Sequence, residues 1–316
     1  MTRWLIALAL PVLARAQFDL YACATMTKEY VVGAKLPPSG LFVHRAEWQH
    51  EGYNHPFIFS LDYDPADPST LYLAAGNGLI RASKQGWKIL TGSDVTELRD
   101  VFVDRSDGAI YYAYSHGVRV SRDRGVTWTE IGAALHRKFT ATVRASKGLI
   151  VIGGEEGVFR STDQGATWNI AGAAGFQVTR VEQSPHNACD WMAATQGGGI
   201  FVSHDCAVTF ENAGRTGVGA TLYDVAYDPT RAQRIAVAGI GPGVVISEDG
   251  GKSWTARNAG LPATEVVSVI FDPGTSGWMY ASVLDEGLYV SRDGGMHWSR
   301  HGLEGSVVNR MGFVPK

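Results

Sequence analysis

The chain has 316 residues and a slight acidic excess, with 28 Lys and Arg against 31 Asp and Glu. No basic run or low-complexity segment occurs, which argues against nucleic-acid binding. Glycine is abundant, at 38 residues, and long amphipathic helical patterns are absent. This composition is typical of an all-β chain with many hairpins.

The first residues predict an export signal at positions 1–16. Arg3 supplies the positive start, and the apolar stretch after it is too short to cross a bilayer. An Ala-Arg-Ala cleavage signal precedes Gln17. We therefore expect a secreted or periplasmic protein without a transmembrane span, in which residues 17–316 form a single monomeric domain.

A lipid anchor is not expected. The residues that end at Cys23 resemble a lipobox, but Arg15 and Asp19 separate them from the apolar stretch. Cys23 is therefore predicted to remain unmodified.

Further along the chain, one phrase of the form Ser-x-Asp-x-Gly-x-Thr-Trp recurs. Its copies begin at Ser121, Ser161, Ser203, Ser247 and Ser291. The third copy is worn, with Ala207 in place of Gly and Phe210 in place of Trp. Short strands repeating with a period of this size predict the blades of a β-propeller.

The Asp of each copy has a local structural role. In a tight turn, an Asp side chain accepts hydrogen bonds from nearby backbone N–H groups, and Gly supplies the positive φ. These carboxylates are therefore predicted to stabilise turns rather than to act as catalytic acids. They are Asp123, Asp163, Asp205, Asp249 and Asp293.

The phrase resembles the Asp-box, or BNR repeat, of sialidases, sortilins, xyloglucanases and photosystem II assembly factors, all β-propellers. The resemblance implies that the boxes lie on the face away from the functional centre. The Arg-Ile-Pro signature of sialidases is missing, and the chain has room for one propeller where xyloglucanases use two. The assembly factors, exported single propellers that bind protein, are most similar in size.

The number of blades follows from the outer hairpins. Damaged hairpins at Gly40 and Gly78 precede the five boxes and make seven. The first strand near Asn309–Phe313 has no hairpin after it, so pairing it with N-terminal strands would complete one blade and remove a free edge. We predict a seven-bladed propeller closed in this way, with six or eight blades as alternatives.

Two of the three cysteines are candidates for a disulfide. Cys189 and Cys206 flank one hairpin. In an antiparallel hairpin the numbers of two facing residues have a constant sum. If residue 195 faces residue 200, this sum is 395, which is also the sum for Cys189 and Cys206. An exported protein permits the bond, which would compensate for the worn turn. The alternative is two unpaired thiols.

Candidate ligand-binding residues lie on the face where the first strands begin. The loop at residues 49–56 contains His50, Tyr53 and His55, types that bind sugars and small polar ligands. The alternative is an exposed, solvated loop that contributes little to the fold. No third ligand accompanies the two histidines, so no metal is expected, and no motif indicates a cofactor.

A polar column follows from aligning the first strands. Its members are Ser60, Asp100, Thr142, Arg180, Asp224, Ser268 and Arg310. We expect them to surround the channel, with Asp and Arg paired, either as a hydrated ring or as a ligand-binding ring containing Asp100, Arg180, Asp224 and Arg310.

Two functions remain open at this stage. The first is a non-enzymatic binding propeller for protein or glycan. The second is a glycoside hydrolase related to xyloglucanases or sialidases, for which Glu156 and Glu286 on the same face are the weak candidates as acid and base.

Overall fold

The computed structural model describes residues 17–28, 37–132, 135, 139–214 and 216–316, so the predicted export signal lies outside the described residues. Within them the regular structure is β, without an α-helix. The strands form antiparallel units of four, which we call blades. Five blades are separate sheets, and the other two are joined into one sheet by pairing between Trp191–Gly198 and Val218–Tyr227. The predicted all-β propeller is confirmed.

The strands in chain order are β1 (Phe18–Met26), β2 (Gly40–His44), β3 (Trp48–Glu51), β4 (Ile58–Asp64), β5 (Asp67–Ala75), β6 (Gly78–Ser83), β7 (Gly86–Ile89), β8 (Asp100–Val103), β9 (Ile110–Tyr114), β10 (Gly117–Ser121), β11 (Thr129–Glu130), β12 (Thr140–Ser146), β13 (Leu149–Gly154), β14 (Gly157–Ser161), β15 (Asn169–Gly172), β16 (Gln177–Gln183), β17 (Trp191–Gly198), β18 (Ile200–Ser203), β19 (Glu211–Asn212), β20 (Val218–Tyr227), β21 (Ile235–Ile240), β22 (Gly243–Ser247), β23 (Thr255–Ala256), β24 (Val266–Phe271), β25 (Met279–Val283), β26 (Gly287–Ser291), β27 (Ser299–Gly302) and β28 (Ser306–Pro315).

Blades 1 to 6 take four consecutive strands each, from β4–β7 to β24–β27, and blade 7 has the order β28-β1-β2-β3. The innermost strands β4, β8, β12, β16, β20, β24 and β28 each contact the next one, and β28 contacts β4. Among the described residues the ring therefore has seven blades. It closes through pairing of β1 with β28, as predicted.

Strand β1 is an element that the sequence analysis did not delimit. It supplies the second strand of blade 7, and its central residues, including Cys23, are buried. The apolar residues that resemble a lipobox are thus the interior of a strand. This strand has no Gly lead-in or box, because both mark the third and fourth strands of a blade.

The innermost strands alternate between two environments. One set, which includes Leu61, Val101 and Val143, is buried between blades. The intervening residues face the channel, since side chains alternate along a strand. In most of these strands the register shifts just before the polar column, as between Ile58 and Ser60 or between Val178 and Arg180. Such bulges re-aim side chains.

The turns of the five recurring phrases, which we call Asp-box turns after the repeat that they resemble, show one repeated hydrogen-bond pattern. In the second copy, Asp163 Oδ1 accepts from the Ser161 hydroxyl at 2.8 Å and from the Thr167 backbone N–H at 2.9 Å. Its Oδ2 accepts from the Thr167 hydroxyl at 2.6 Å. The same Ser-to-Asp bond occurs in the other four copies. Each carboxylate therefore serves its own turn.

Three of the box tryptophans, Trp128, Trp168 and Trp298, bond to the preceding blade. The indole N–H of Trp168 donates to the carbonyl of Ile131 in the preceding blade at 2.8 Å, and that of Trp298 donates to Arg257 at the same distance. The turns thus fix both the hairpin and the seam between blades.

Cys189 and Cys206 form a disulfide, as predicted. The register by which the pair was predicted is wrong by one: Trp191 pairs with Ser203 and Ala193 with Phe201, so facing positions sum to 394. The disulfide still forms because the two cysteines lie outside the paired residues of β17 and β18. There the Cys206 N–H donates to the Cys189 carbonyl at 3.1 Å, which holds the two residues side by side.

Candidate functional site

The polar column meets in the channel as a network of charges. Arg180 contacts Asp100 at 3.0 Å and Asp224 at 3.3 Å. Arg310 contacts Asp224 at 2.8 Å. Asp100 also accepts from the hydroxyls of Ser60, at 2.7 Å, and of Thr142, at 3.0 Å. The predicted pairing of Asp with Arg is present, and it joins blades that are not neighbours.

Two further charged residues belong to this network and were missed in the sequence. Arg144 lies 2.8 Å from Asp100, and Glu182 lies 2.9 Å from Arg310. Arg144 and Glu182 also form an ion pair with each other. Both lie two positions after a member of the column, on the same face of the strand. The period of two is the signal that would have found them.

The network keeps the carboxylates of Asp100 and Glu182 ionised. Burial by itself raises the pKa of Asp100, but the charges of Arg144, Arg180 and Arg310 outweigh it and hold that pKa below its usual range. In the same way, Arg144 overcomes the effect of burial and lowers the pKa of Glu182 to about 2. A general acid needs a raised pKa, so these carboxylates are unsuited to that role.

The network leaves little open volume in the channel. A cavity of about 190 Å³ lies beside it, lined in part by Arg105, Arg144, Glu182 and Arg310. Sites for drug-sized ligands start at roughly 300 Å³. Ligand binding by Asp100, Arg180, Asp224 and Arg310 stays a prediction; in the structure they bind one another.

The three loop residues at 49–56 have different environments. Tyr53 is 42% exposed, and its ring lies 5.0 Å from that of Trp87. His50 Nε2 lies 3.1 Å from the Ser39 carbonyl. His55 is only 8% exposed, which contradicts the expectation of a uniformly solvated loop.

His55 is held by two hydrogen bonds. Its Nδ1 accepts the Phe57 backbone N–H at 3.2 Å, so the proton lies on Nε2, which donates to Asn77 Oδ1 at 2.8 Å. His55 therefore organises the link between blades 7 and 1 rather than facing solvent.

A second, larger cavity lies beside His55, at the end of the ring where the innermost strands begin; we call this end the top face. Its volume is about 550 Å³, within the range of small-ligand sites. Phe57, Phe59, Glu97 and Arg99 contribute to its lining. Phe57 precedes β4, Phe59 lies near the start of β4, and Glu97 and Arg99 precede β8, so the pocket lies between blades 1 and 2.

Backbone hydrogen bonds hold the walls of this pocket. The Gly76 N–H donates to the Phe57 carbonyl at 2.8 Å, and the Glu97 N–H donates to the Gly76 carbonyl at 3.1 Å. A Cβ on Gly76 would lie 3.1 Å from the Cβ of Phe57, so glycine permits the close approach. The backbone bonds and the close approach at Gly76 thus define the shape of the pocket.

The two candidate catalytic glutamates are not neighbours. Glu156 lies in the turn between β13 and β14 of blade 3, and Glu286 lies in the turn between β25 and β26 of blade 6. Glu286 is also engaged by two cations, in an ion pair with Lys28 and at 3.9 Å from Arg300. This arrangement does not resemble two free carboxyls that face each other across a cleft.

Within the described ranges, no three His, Cys, Asp or Glu side chains are grouped so that they would hold a metal ion. The described part of the chain has no helix that is long and apolar enough to cross a membrane.

The chain matches no protein-family model and no curated protein. Among solved structures it is similar to the GH74 xyloglucanase from Xanthomonas campestris, with a TM-score of 0.64 and 18% identity, over 77% of this chain and 45% of that one. It thus spans less than half the length of that enzyme.

A second likeness is to YCF48 from Cyanidioschyzon merolae, with a TM-score of 0.58 and 16% identity, over 79% of this chain and 86% of that one. YCF48 bound to D1 peptide gives a TM-score of 0.58 and 15% identity, over 77% of this chain and 81% of that one. At such identities these likenesses show the β-propeller fold, which hydrolases and peptide-binding proteins share.

Proposed function

We propose that the chain is an exported, non-enzymatic Asp-box propeller that acts as a monomer and binds a protein or a glycan on its top face. The observation that carries the proposal is the pocket beside Phe57 and Arg99. It is open and, at about 550 Å³, large enough for part of a ligand, whereas the charges in the channel are paired with one another.

Two further observations support this proposal. The Cys189–Cys206 disulfide is typical of proteins in an oxidising compartment outside the cytosol. A propeller of similar length, YCF48, has been seen bound to a D1 peptide. The likeness to xyloglucanases keeps glycans among the candidate ligands.

The alternative is a glycoside hydrolase. Its support is the likeness to GH74 enzymes. Against it stand the separation of Glu156 and Glu286 on different blades and the lowered pKa values of Asp100 and Glu182.

The test is capture of ligands by purified full-length protein from the native extracellular fraction, run beside a glycan array. The decisive variant is Phe57→Ala, because Phe57 is 54% exposed on the top face. Met296→Ala is the matched control, since Met296 is 52% exposed but lies in an Asp-box turn at the other end. We expect Phe57→Ala to lose the captured ligand and Met296→Ala to retain it.

The opposite pattern would place the binding surface at the Asp-box end and refute the proposal. Hydrolysis of xyloglucan or of a sialoside by the wild-type protein, abolished by Glu156→Gln or Glu286→Gln, would establish the enzyme instead.

A further inference from the structure

The pocket on the top face contains an arginine held in an unusual way. The guanidinium carbon of Arg99 lies 5.0 Å from the centre of the Phe59 ring and 5.4 Å from that of Phe139. Arg99 is nevertheless exposed. No hydrogen bond from its guanidinium N–H groups is found among the described residues, so these donors remain available to a ligand.

Arg99 has no acidic partner in the described part of the chain. Arginines that line the channel, such as Arg144 and Arg180, form ion pairs with carboxylates. Glu97, in the same pocket, also makes no ion pair among the described residues, and it does not bond to Arg99. The pocket therefore presents one cation and one anion that are not satisfied by each other.

The remaining lining is apolar or already hydrogen-bonded. Phe57 and Phe59 stack with ring centres 6.4 Å apart, and Phe57 is 54% exposed. His55 and Asn77 bond to each other at 2.8 Å. Few polar groups remain to satisfy the many hydroxyls of a sugar, whereas an apolar side chain would fit against the two phenyl rings.

We infer that this pocket binds a peptide segment in which a carboxylate lies next to an apolar side chain. The inference rests on the proposed function and names the ligand of the same face. Arg99 receives the carboxylate through its forked N–H edge, a geometry that matches a carboxylate with two hydrogen bonds. The apolar side chain packs on Phe57 and Phe59, and Glu97 accepts a backbone N–H of the peptide.

The backbone around Arg99 supports such a role. The Arg99 N–H donates to the Ala113 carbonyl at 2.9 Å, and the next residue, Asp100, is the buried centre of the channel network. The root of the side chain is therefore fixed, and the two rings restrict the guanidinium group. Little conformational entropy is lost when a ligand binds to a side chain already held in this way.

The test uses an array of short peptides, acetylated and amidated at their ends, in which an apolar residue precedes Glu; each has a twin with Gln in place of Glu. Affinities are measured for the full-length protein. We expect peptides with Glu to bind at least about tenfold more tightly than their Gln twins, the value of one charge-assisted hydrogen-bonded pair.

Three variants locate the interaction. Arg99→Gln should remove the preference for Glu over Gln, and Arg99→Lys should restore it only in part, because Lys keeps the charge but not the fork. Arg292→Gln is the matched control: its guanidinium also stacks on an aromatic ring, 4.9 Å from the centre of Trp278, but at the Asp-box end. It should leave binding unchanged. Thermal melts of all variants check that they are folded.

Several outcomes would overturn the inference. One is the absence of binding to every Glu peptide, and another is equal binding of the Glu and Gln twins. A third is binding of an acidic oligosaccharide, such as oligogalacturonate, that depends on Arg99 while the peptides do not bind. If Phe57→Ala loses a captured partner but Arg99→Gln retains it, the inference fails and the proposed function stands.

Discussion

At the Asp-box end, the carboxylate of Asp163 bonds within its own turn, whereas on the top face Arg99 and Glu97 find no ionic partner among the described residues. The hydrogen bonds of Thr167, followed by that of Ser161, lower the pKa of Asp163 to about 2. The polar side chain of Asp163 at the Asp-box end is thus hydrogen-bonded within the fold, whereas Arg99 and Glu97 on the top face remain available to a ligand. This difference separates residues that maintain the ring from residues that are free to bind.

The largest expected effect comes from opening the ring, on which both ends depend. Deleting residues 309–316 removes most of β28, the innermost strand of blade 7, together with Arg310. The edges of β1 and of the neighbouring blades are then exposed. We expect insoluble or oligomeric protein by size-exclusion chromatography, whereas removal of Lys316 alone should leave a monomer. A folded, monomeric product of the longer deletion would show that the ring closes in another way.

The next effect concerns the network between the two ends. Asp100→Asn removes a buried charge that Arg144 and Arg180 require, and breaking such a pair costs about 3–5 kcal/mol of the free energy of unfolding. Denaturant titration measures it, with the exposed Asp94→Asn as the control.

If Asp100→Asn does not fold, Ser60→Ala provides a milder test. It removes a single hydrogen bond to Asp100, for about 1 kcal/mol. Wild-type stability in both variants would mean that the network contributes nothing to the ring.

A direct contrast of the two ends uses Asp163→Ala and Tyr53→Ala. Asp163→Ala should lower the melting temperature by a few degrees and leave ligand affinity intact, because the turn loses the acceptor of its backbone N–H group. Tyr53→Ala should lower ligand affinity and leave the melting temperature unchanged. Thermal melts measure the stability of both variants, and a binding assay measures their affinity. If Asp163→Ala lost binding without a lower melting temperature, the separation of a structural end from a binding end would be contradicted.

The same contrast has a pH dependence. The folded pKa of Asp163, about 2, lies below the unfolded value of about 3.9, so its contribution is complete above that value and is lost as the pH falls towards 2. The difference in melting temperature between wild type and Asp163→Ala should therefore shrink over this range.

The smallest expected effect concerns the seam between blades 6 and 7. The ring centre of His301 lies 4.7 Å from that of His44 across this seam. The His301 ring also contacts the rings of Trp48 and Tyr280. Burial, followed by the charges of His44 and Arg292, lowers the pKa of His301 to about 4. Since the unfolded value is about 6.5, stability should decline as the pH falls from 6.5 towards 4.

The variant His301→Phe should flatten this decline, and the change of a surface histidine, His116→Gln, should not. Denaturant midpoints at pH 7 and pH 5 measure the difference. An unchanged pH dependence in His301→Phe would exclude the seam as its origin.

Much of the fold was predictable because its turns are formed by hydrogen bonds between nearby residues of a repeated motif. The box beginning at Ser161 forms its turn with its own residues, so five copies indicate five similar hairpins. The polar column was also predictable, because each first strand carries it at the same position. Strand β1 was not delimited, because it has no repeat marker. The register at Cys189 was one position off, because Ala194 rather than residue 195 pairs with Ile200.

The candidate site was less predictable. His55 was expected to be exposed, but contacts with Asn77 and Phe57, from the adjacent turn and link, bury it. The contacts of the Arg99 guanidinium group with the rings of Phe59 and Phe139 join residues from three successive blades. Such contacts leave no periodic signal, since each residue occurs once.

The sequence by itself determined the repeat, the turns, the alternation of the strands and the charges that enter the channel, because each depends on neighbours within one blade. The tertiary structure alone decided which charges pair across the ring and that Phe57, Phe59 and Arg99 form one pocket. The physical reason is ring closure, which brings together side chains that are about 40 residues or more apart in the chain.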